Sequence, residues 1–269
     1  MISVCLASYN GEKYIEQQIE SIVTQISSSD ELIISDDGST DSTTQIVYRL
    51  AQKYPQIKIL KASHNSINPQ EIKNIESTIY KEFNIIYKVA LNFLRAIKEA
   101  KGDTIYLCDQ DDIWLPDKIS VCESRLKLYD VVVHRRQDVN TELEPIRAQN
   151  KNIPDNRKAT FFQSLVVSHF QGACMGFTRR IKDNIIENLD LFSSIPLSQD
   201  HAIGYIALVF SGQSKICFEP KQLILYRRHN NNVSPTGEKS KHSILFKLLY
   251  RWNDIKFYLL LRKRKLFGR

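Results

Sequence analysis

The chain has 269 residues, 42% of them hydrophobic and 25% charged, enough for one large globular core or two small ones. Five cysteines (Cys5, Cys108, Cys122, Cys174, Cys217), odd in number and without CxxC or Cys/His spacing, argue against a disulfide framework and a structural zinc site. The net charge of +7 is a property of one end: Lys239 to Arg269 holds ten Lys/Arg and one acid, Asp254, and removing that +9 leaves residues 1–238 at −2, which weighs against a nucleic-acid binder.

The opening "MISVCLASYNGEKY" lacks the basic region and long apolar stretch of a signal peptide, so a reducing, cytoplasmic location is expected. "ISVCLAS" and "ELIIS" (31–35) read as short buried strands. Between them Ile15, Ile19, Ile22, Val23 and Ile26 recur at helical spacing, predicting a helix from about Asn10–Gly11. A second helix should follow "DDGSTDS", capped by Ser39 or Asp41 with Ile46, Val47 and Leu50 inward, and "QIKILKA" (56–62) should be a third strand. Residues 63–83 are polar and read as a loop with at most one helical turn. Val89, Phe93, Leu94 and Ile97 mark a helix with Gly102 as its C′ residue. "DTIYLCD" (103–109) is the next strand, and Pro116 opens the first turn of a helix through "DKISVCESRLKL". Further on, "FQGACMGFT" (170–178) reads as a strand, "RRIKDNIIENL" (179–189) and "QDHAIGYIALVF" (199–210) as helices, and "SKICFEP" (214–220) and "LILYRRH" (223–229) as β-prone runs.

Strand and helix alternating to about residue 130 predict a parallel sheet with crossover helices, whose ligands collect at the carboxyl ends of the strands. Three polar loops lie there: "SYNG" (8–11), "SDDGSTDS" (35–42) and "CDQDDIW" (108–114). In the last, Asp109, Asp111 and Asp112 crowd into four positions. Their repulsion calls for a hard cation, Mg²⁺ or Mn²⁺, which takes oxygen ligands and bridges to phosphate. The plainer reading is a set of acids near a helix N-terminus, a place Asp117 suits well. Asp36 and Asp37 suit a base N–H and ribose hydroxyls.

Together "SVCLASYNGEKYIEQQIESI", "ELIISDDGSTDST" and "YLCDQDDIWLPDK" resemble the family 2 glycosyltransferases, most of all the bacterial branch with D-Q-D-D-I-W that builds surface polysaccharides. "QDHAIGYIALV" and "LILYRRHNNNVS" extend the resemblance over about residues 2–235. It implies a GT-A fold: a Rossmann-like, mostly parallel sheet over residues 1–237, with a nucleotide-sugar half (1–112), an acceptor half (113–237) and a basic amphipathic helical tail (238–269). It further implies inverting, metal-dependent transfer from UDP-hexose or UDP-N-acetylhexosamine, with dTDP-rhamnose as the main rival. The implied acceptor is a hydroxyl of a polyprenyl-diphosphate-linked glycan in O-antigen or capsule synthesis.

By position, Ser8, Tyr9, Asp36 and Asp37 resemble the family's nucleobase and ribose contacts. Asp109 resembles the donor-contacting first acid, Asp111 the metal ligand with Asp109 beside it, and Asp112 a support to both. Asp200 resembles the base that deprotonates the acceptor. It opens an apolar helix (Ala202, Ile203, Tyr205, Ile206, Leu208, Val209), although an N-cap aspartate would look the same. Gln171 and Gly172 fall at the acceptor wall by resemblance. Trp114 suits a sugar face or a buried turn, His229 a diphosphate, a metal or solvent, and Arg227 and Arg228 phosphate or solvent. The chain departs from the family at "NIIYKVALNF", which has no Gly, at His134-Arg135-Arg136 in place of a Ser-Asp or His-Asp pair, and at Gln199-Asp200-His201, which has no Trp nearby.

In the tail, Ile244, Leu245, Leu248, Leu249, Trp252, Ile255, Leu259 and Leu260 recur at helical spacing among Lys247, Arg251 and Lys256. The charges break the run short of the roughly 20 apolar residues a membrane span needs. The segment suits the interface of an anionic membrane, with "RKRK" (262–265) adding attraction, and the alternatives are a helix packed on the protein's own core and a dimer interface. Two other functions share parts of this pattern. A nucleotidyltransferase would need a Gly/Arg/Lys-rich loop that "ASYNGEKY" does not supply, and the acidic body and Asp200 weigh against a non-catalytic RNA- or sugar-nucleotide-binding protein.

Overall fold

A computed structural model describes residues 1–60, 77–146, 160–166, 169–229, 232 and 242–268. The first half runs β1 (Ile2–Ser8), α1 (Ile15–Val23), β2 (Glu31–Asp36), α2 (Thr43–Lys53), β3 (Ile57–Leu60), α3 (Ser77–Glu99) and β4 (Thr104–Asp109). Strands β3, β2, β1 and β4 are parallel neighbours in that order. All six residues of β2 are buried, which explains an apolar run without alternation: both faces of the sheet are covered.

The second half holds β5 (Ile113–Trp114), α4 (Lys118–Leu126), β6 (Val131–Val139), α5 (Phe161–Val166), β7 (Met175–Thr178), α6 (Arg179–Glu187), α7 (Leu189–Ser194), α8 (Gln199–Ile206), β8 (Ile216–Arg227) and α9 (Ile244–Phe267). Here β7 runs antiparallel to β4 and β6, β8 is parallel to β6, and β5 is antiparallel to β8. Among the described residues the sheet thus has eight strands, ordered β3-β2-β1-β4-β7-β6-β8-β5, over one main core, with a small second cluster around Phe83 and Phe246. The mostly parallel α/β architecture is the one expected.

Several local expectations are corrected. Helix α1 starts at Ile15, because the Gly11 carbonyl first accepts the N–H groups of Tyr14 and Ile15 in a turn. The N-cap residue of α2 is Ser42, not Ser39 or Asp41: the Asp41 carboxylate takes the Thr43 N–H at 3.0 Å, and Ser39 turns to Asp36. Residues 77–83 are helix rather than loop, since Phe83, Tyr87, Ala90 and Leu94 continue the buried face of α3. The end of the expected third strand (61–62) and residues 63–76 lie outside the described residues. Gly102 is no left-handed cap: α3 ends at Glu99, and a Cβ on Gly102 would stand 2.6 Å from Ser3 N. Pro116 precedes α4, whose N-cap residue is Asp117. Residues 170–178 give a 3₁₀ turn (Gly172–Cys174) before β7, and the 199–210 helix ends at Ile206 in a π-helical turn. The two late β-prone runs are one strand, β8, whose pairing with β6 slips around Pro220, a residue with no N–H for the ladder.

Helix α9 carries two apolar faces. Of the expected stripe, Ile244, Leu245, Leu248, Trp252 and Leu259 point outward (Leu248 64%, Trp252 61% and Leu259 60% exposed), whereas Leu249, Ile255 and Leu260 lie half-buried against the body. A second face, Phe246, Phe257 and Leu261 with the fully buried Asp254, docks on the body. Phe246 meets Phe83 at 4.6 Å between centroids, Phe257 meets Phe192 at 5.4 Å, and Tyr258 stacks on Phe161 at 3.8 Å. Packing on the core therefore holds for one face only. Among the described residues, no helix is long and apolar enough to cross a membrane.

Candidate active site

Register sets the site: Ser8 pairs with Asp36 across β1 and β2, and Ala7 with Asp109 across β1 and β4, so the three polar loops leave adjacent strand ends together. Side chains then join them. Ser8 Oγ donates to Asp36 Oδ1 at 2.8 Å, the Gly11 N–H to Thr43 Oγ1 at 2.8 Å, and the Thr40 N–H to Asn10 Oδ1 at 2.8 Å. Gln110 grips Tyr9 at both backbone atoms, accepting its N–H at 2.8 Å and donating to its carbonyl at 2.9 Å. The Asp36 carboxylate is absorbed by the loop, accepting from Ser8, Ser39 Oγ, and the Gly38 and Ser39 N–H groups. Asp37 and Tyr9 (55% exposed) remain the open groups.

The acids of 109–112 have three different environments. Asp112 is 1% exposed; one oxygen accepts the Arg227 N–H at 3.2 Å and the other has no partner among the described residues. Burial, then the charges of Asp111 and Asp109, push its carboxyl well above the usual range. Burial and the neighbouring Asp111 and Asp200 raise Asp109 to about 7. Asp111 Oδ2 meets His229 Nε2 at 2.7 Å and accepts from Asn232 Nδ2 at 3.3 Å. Arg227 locks this loop: Nε donates to the Asp111 carbonyl at 2.9 Å, Nη1 to the Thr141 carbonyl at 2.7 Å and Nη2 to Gln17 Oε1 at 2.9 Å, over the ring of Tyr14 at 4.5 Å. Among the described residues, no three His, Cys, Asp or Glu side chains converge as a ready cation cage.

Asp200 enters from the other half. It sits in the first turn of α8, whose N-cap residue is Ser198, so the N-cap reading of Asp200 does not hold. Its Oδ1 accepts the His201 N–H at 2.9 Å. Gly172 lies against it: a Cβ there would stand 3.9 Å from Asp200 Cβ and 3.0 Å from Gln199 Nε2. Gln171 Oε1 accepts from Arg136 Nη1 at 3.2 Å.

The sequence model described as "Glycosyl transferase family 2" matches residues 3–71 and 77–186. The chain belongs to this glycosyltransferase family. The dTDP-rhamnosyl transferase RfbG of Shigella flexneri is 28% identical over 240 residues, covering 84% of this glycosyltransferase and 72% of RfbG. Three mycobacterial relatives of uncharacterized function are 25% identical over 86% of this chain, which spans only 60% of their length. Among solved structures, S. aureus TarS 1–349 in complex with UDP-GlcNAc aligns over all of this chain and 73% of its own, at 16% identity and a TM-score of 0.60. The mannosyltransferase PcManGT of Pyrobaculum calidifontis, in complex with GDP-Man and Mn²⁺, aligns over all of this chain and 76% of its own, at 15% identity and a TM-score of 0.52. The glycosyltransferase thus has the GT-A fold.

The fold of this glycosyltransferase brings Ser8, Tyr9, Asp36, Asp37, Asp109, Asp111 and Asp112 to neighbouring strand ends, and Asp200, Gln171 and Gly172 to one wall. Trp114 is placed elsewhere: it is 3% exposed, edge-on to Tyr106 at 6.0 Å, with Lys118 Nζ 3.9 Å over its ring, and so has no open face for a sugar. Gly176 packs on the Tyr106 ring. Arg227 is a buried cross-link, and Arg228 shares Asp138 with Arg136. Sequence reasoning passed over Asn92, whose Nδ2 donates to the Ser8 carbonyl at 3.1 Å while Oδ1 accepts from Ser35 at 2.6 Å; a polar residue on the inner face of an apolar helix was its signal. Gln110 and Asn232 had no such signal, since both act through loop contacts.

Proposed function

We propose that the protein transfers a sugar, with inversion, from a uridine or thymidine diphosphate sugar to a hydroxyl of a lipid-diphosphate-linked glycan in surface-polysaccharide synthesis. The observation that carries this reading is the meeting of Asp111 Oδ2 and His229 Nε2 at 2.7 Å, beside the strand-end loops of β1, β2 and β4, with Asp200 close enough for its charge to act on Asp109. Residues 1–112 form the donor half: Asp37 and Tyr9 receive base and ribose, and Ser8 and Asp36 shape their loop. Residues 113–237 form the acceptor half, with Gln171 and Gly172 on its wall.

The donor set fits Mg²⁺ or Mn²⁺. One carboxylate and one imidazole leave the other positions to phosphate oxygens and water, as such ions prefer, and the unpartnered Asp112 oxygen together with the raised Asp109 marks a place short of positive charge. Asp111 and His229 would hold the ion, with Asp109 beside them. When bound, it neutralises the nucleoside diphosphate as it leaves. Asp200 takes the proton of the acceptor hydroxyl, whose oxygen attacks the anomeric carbon as the bond to the diphosphate breaks. The name of the 28%-identical relative favours dTDP-rhamnose, and UDP sugars share its pyrimidine diphosphate.

The outer face of α9 supports a location on the inner, anionic face of the cell membrane. Leu245, Leu248, Trp252 and Leu259 are exposed there with Arg262 and Lys263, whereas Arg264 and Lys265 of "RKRK" bind Asp190 and the Val209 carbonyl. The test is nucleotide release from UDP-glucose, UDP-GlcNAc, dTDP-rhamnose and GDP-mannose with Mg²⁺ or Mn²⁺. One pyrimidine donor should be turned over, and excess chelator or Asp111→Ala should abolish release. Full activity in chelator would overturn the metal role, and release from no donor would overturn the whole reading.

A further inference from the structure

Three residues of α9 hold the segment that presents Asp200, on both sides of it. Asn253 Nδ2 donates to the Pro196 carbonyl at 3.2 Å. The Tyr250 hydroxyl accepts the Ser198 N–H at 3.2 Å and shares a 2.7 Å hydrogen bond with Ser198 Oγ. Asp254, fully buried, meets His201 Nδ1 at 3.0 Å with one oxygen and Arg251 Nη1 at 3.0 Å with the other. Tyr250 and Tyr205 close edge-on around the His201 ring at 5.5 and 5.9 Å.

The start of a helix has backbone N–H groups without intrahelical partners, usually bound by the N-cap side chain. Ser198 occupies the N-cap of α8, yet its hydroxyl makes no cap bond and turns to Tyr250 instead. What steadies this helix start is therefore a helix more than 40 residues further along the chain. Asp200 lies between two fastened points, Ser198 and His201. Tyr250 is itself seated against Phe83 and Phe246, so the hold is anchored in packed aromatic rings. A displacement of about 1 Å at a reacting group can cost on the order of 10²-fold in rate, so fixing a base at a helix start has a catalytic return.

We propose that α9 positions Asp200, with Tyr250 and Asp254 as its positioning residues acting through Ser198 and His201. This rests on Asp200 being the base in the function proposed above. The experiment is a double-mutant cycle in the full-length chain, reading nucleotide release from whichever donor the panel identifies. Tyr250→Phe removes one hydroxyl and should lower kcat by about 10-fold or more. The donor KM and the calorimetric affinity for UDP with Mn²⁺ should stay within about twofold. In the Asp200→Asn background the same substitution should change kcat by less than about twofold, because the group it positions is gone. Asp254→Asn should repeat the pattern, with thermal unfolding checked for each variant. Equal losses in both backgrounds, or no loss in the wild-type background, would overturn the positioning role. Wild-type turnover in Asp200→Asn alone would instead overturn the base assignment, and the positioning role with it.

Discussion

Between the loops that follow β1 and β2, three contacts join residues about one βα unit apart: Ser8 to Asp36, Asn10 to Thr40, and the Gly11 N–H to Thr43. Around β5 to β8 and α9 the partners come from remote elements: Arg227 reaches Gln17 and Thr141, Lys118 the Ala173 carbonyl, His201 the Asp254 carboxylate. Parallel register sets the first kind of contact side by side between two loops, so no single one of them carries the arrangement. The second kind is made once, by a side chain that has to be there. The donor half should therefore tolerate single losses within its loops better than the acceptor half tolerates loss of one of its cross-links.

Arg227→Ala breaks that second half hardest. A buried guanidinium bound to three elements and stacked on Tyr14 disappears, and the loss should be about 3–5 kcal/mol of unfolding free energy in urea. A loss below about 1 kcal/mol would show that the cross-link is ornamental. Asp36 and Asp37 are adjacent but held differently. Asp36→Ala removes the acceptor of four hydrogen bonds and should cost about 2–3 kcal/mol. Asp37→Ala should stay within about 0.5 kcal/mol in stability yet weaken UDP binding by calorimetry about 10-fold. On the outer face of α9, Trp252→Glu should reduce cosedimentation with anionic vesicles by about 5–10-fold and leave neutral vesicles unchanged.

The smallest effect is a pH dependence. Burial opposes charge on His201, but the Asp254 carboxylate bonded to it, with Asp200 nearby, prevails over Arg251 and holds its pKa above the ordinary 6.5. Tyr205 and Tyr250 are the other titratable groups around the ring, and both are held above their ordinary value by burial. A raised histidine contributes stability that is fully present below pH 6.5 and is lost as the pH rises through its folded value. His201→Gln should remove that part of the fall in Tm between pH 6 and 8, and an unchanged profile would count against the pair.

The same contrast explains what the sequence could reveal. Uniform apolar strands, helical periodicity and three polar loops made the β1–β4 half and its acids readable, because each signal lies within a dozen residues. Tail periodicity singled out the outward stripe of α9 and missed the inward one, since Phe246, Tyr250, Asp254, Phe257 and Leu261 mix apolar with polar residues. A buried aspartate reads as solvated until its histidine is known to be beside it. Trp114 looked equally suited to a sugar or a core, and only the cation on its ring and the strand pairing of β5 decide for the core.

The proposed base, Asp200, stands on α8 and serves a donor held by the strand-end loops of β1, β2 and β4. The decisive variant is Asp200→Asn, with turnover and UDP affinity measured on the same preparation. Loss of the base should lower kcat by roughly 10²–10⁴-fold and leave UDP affinity unchanged. Turnover near the wild-type value would contradict that role.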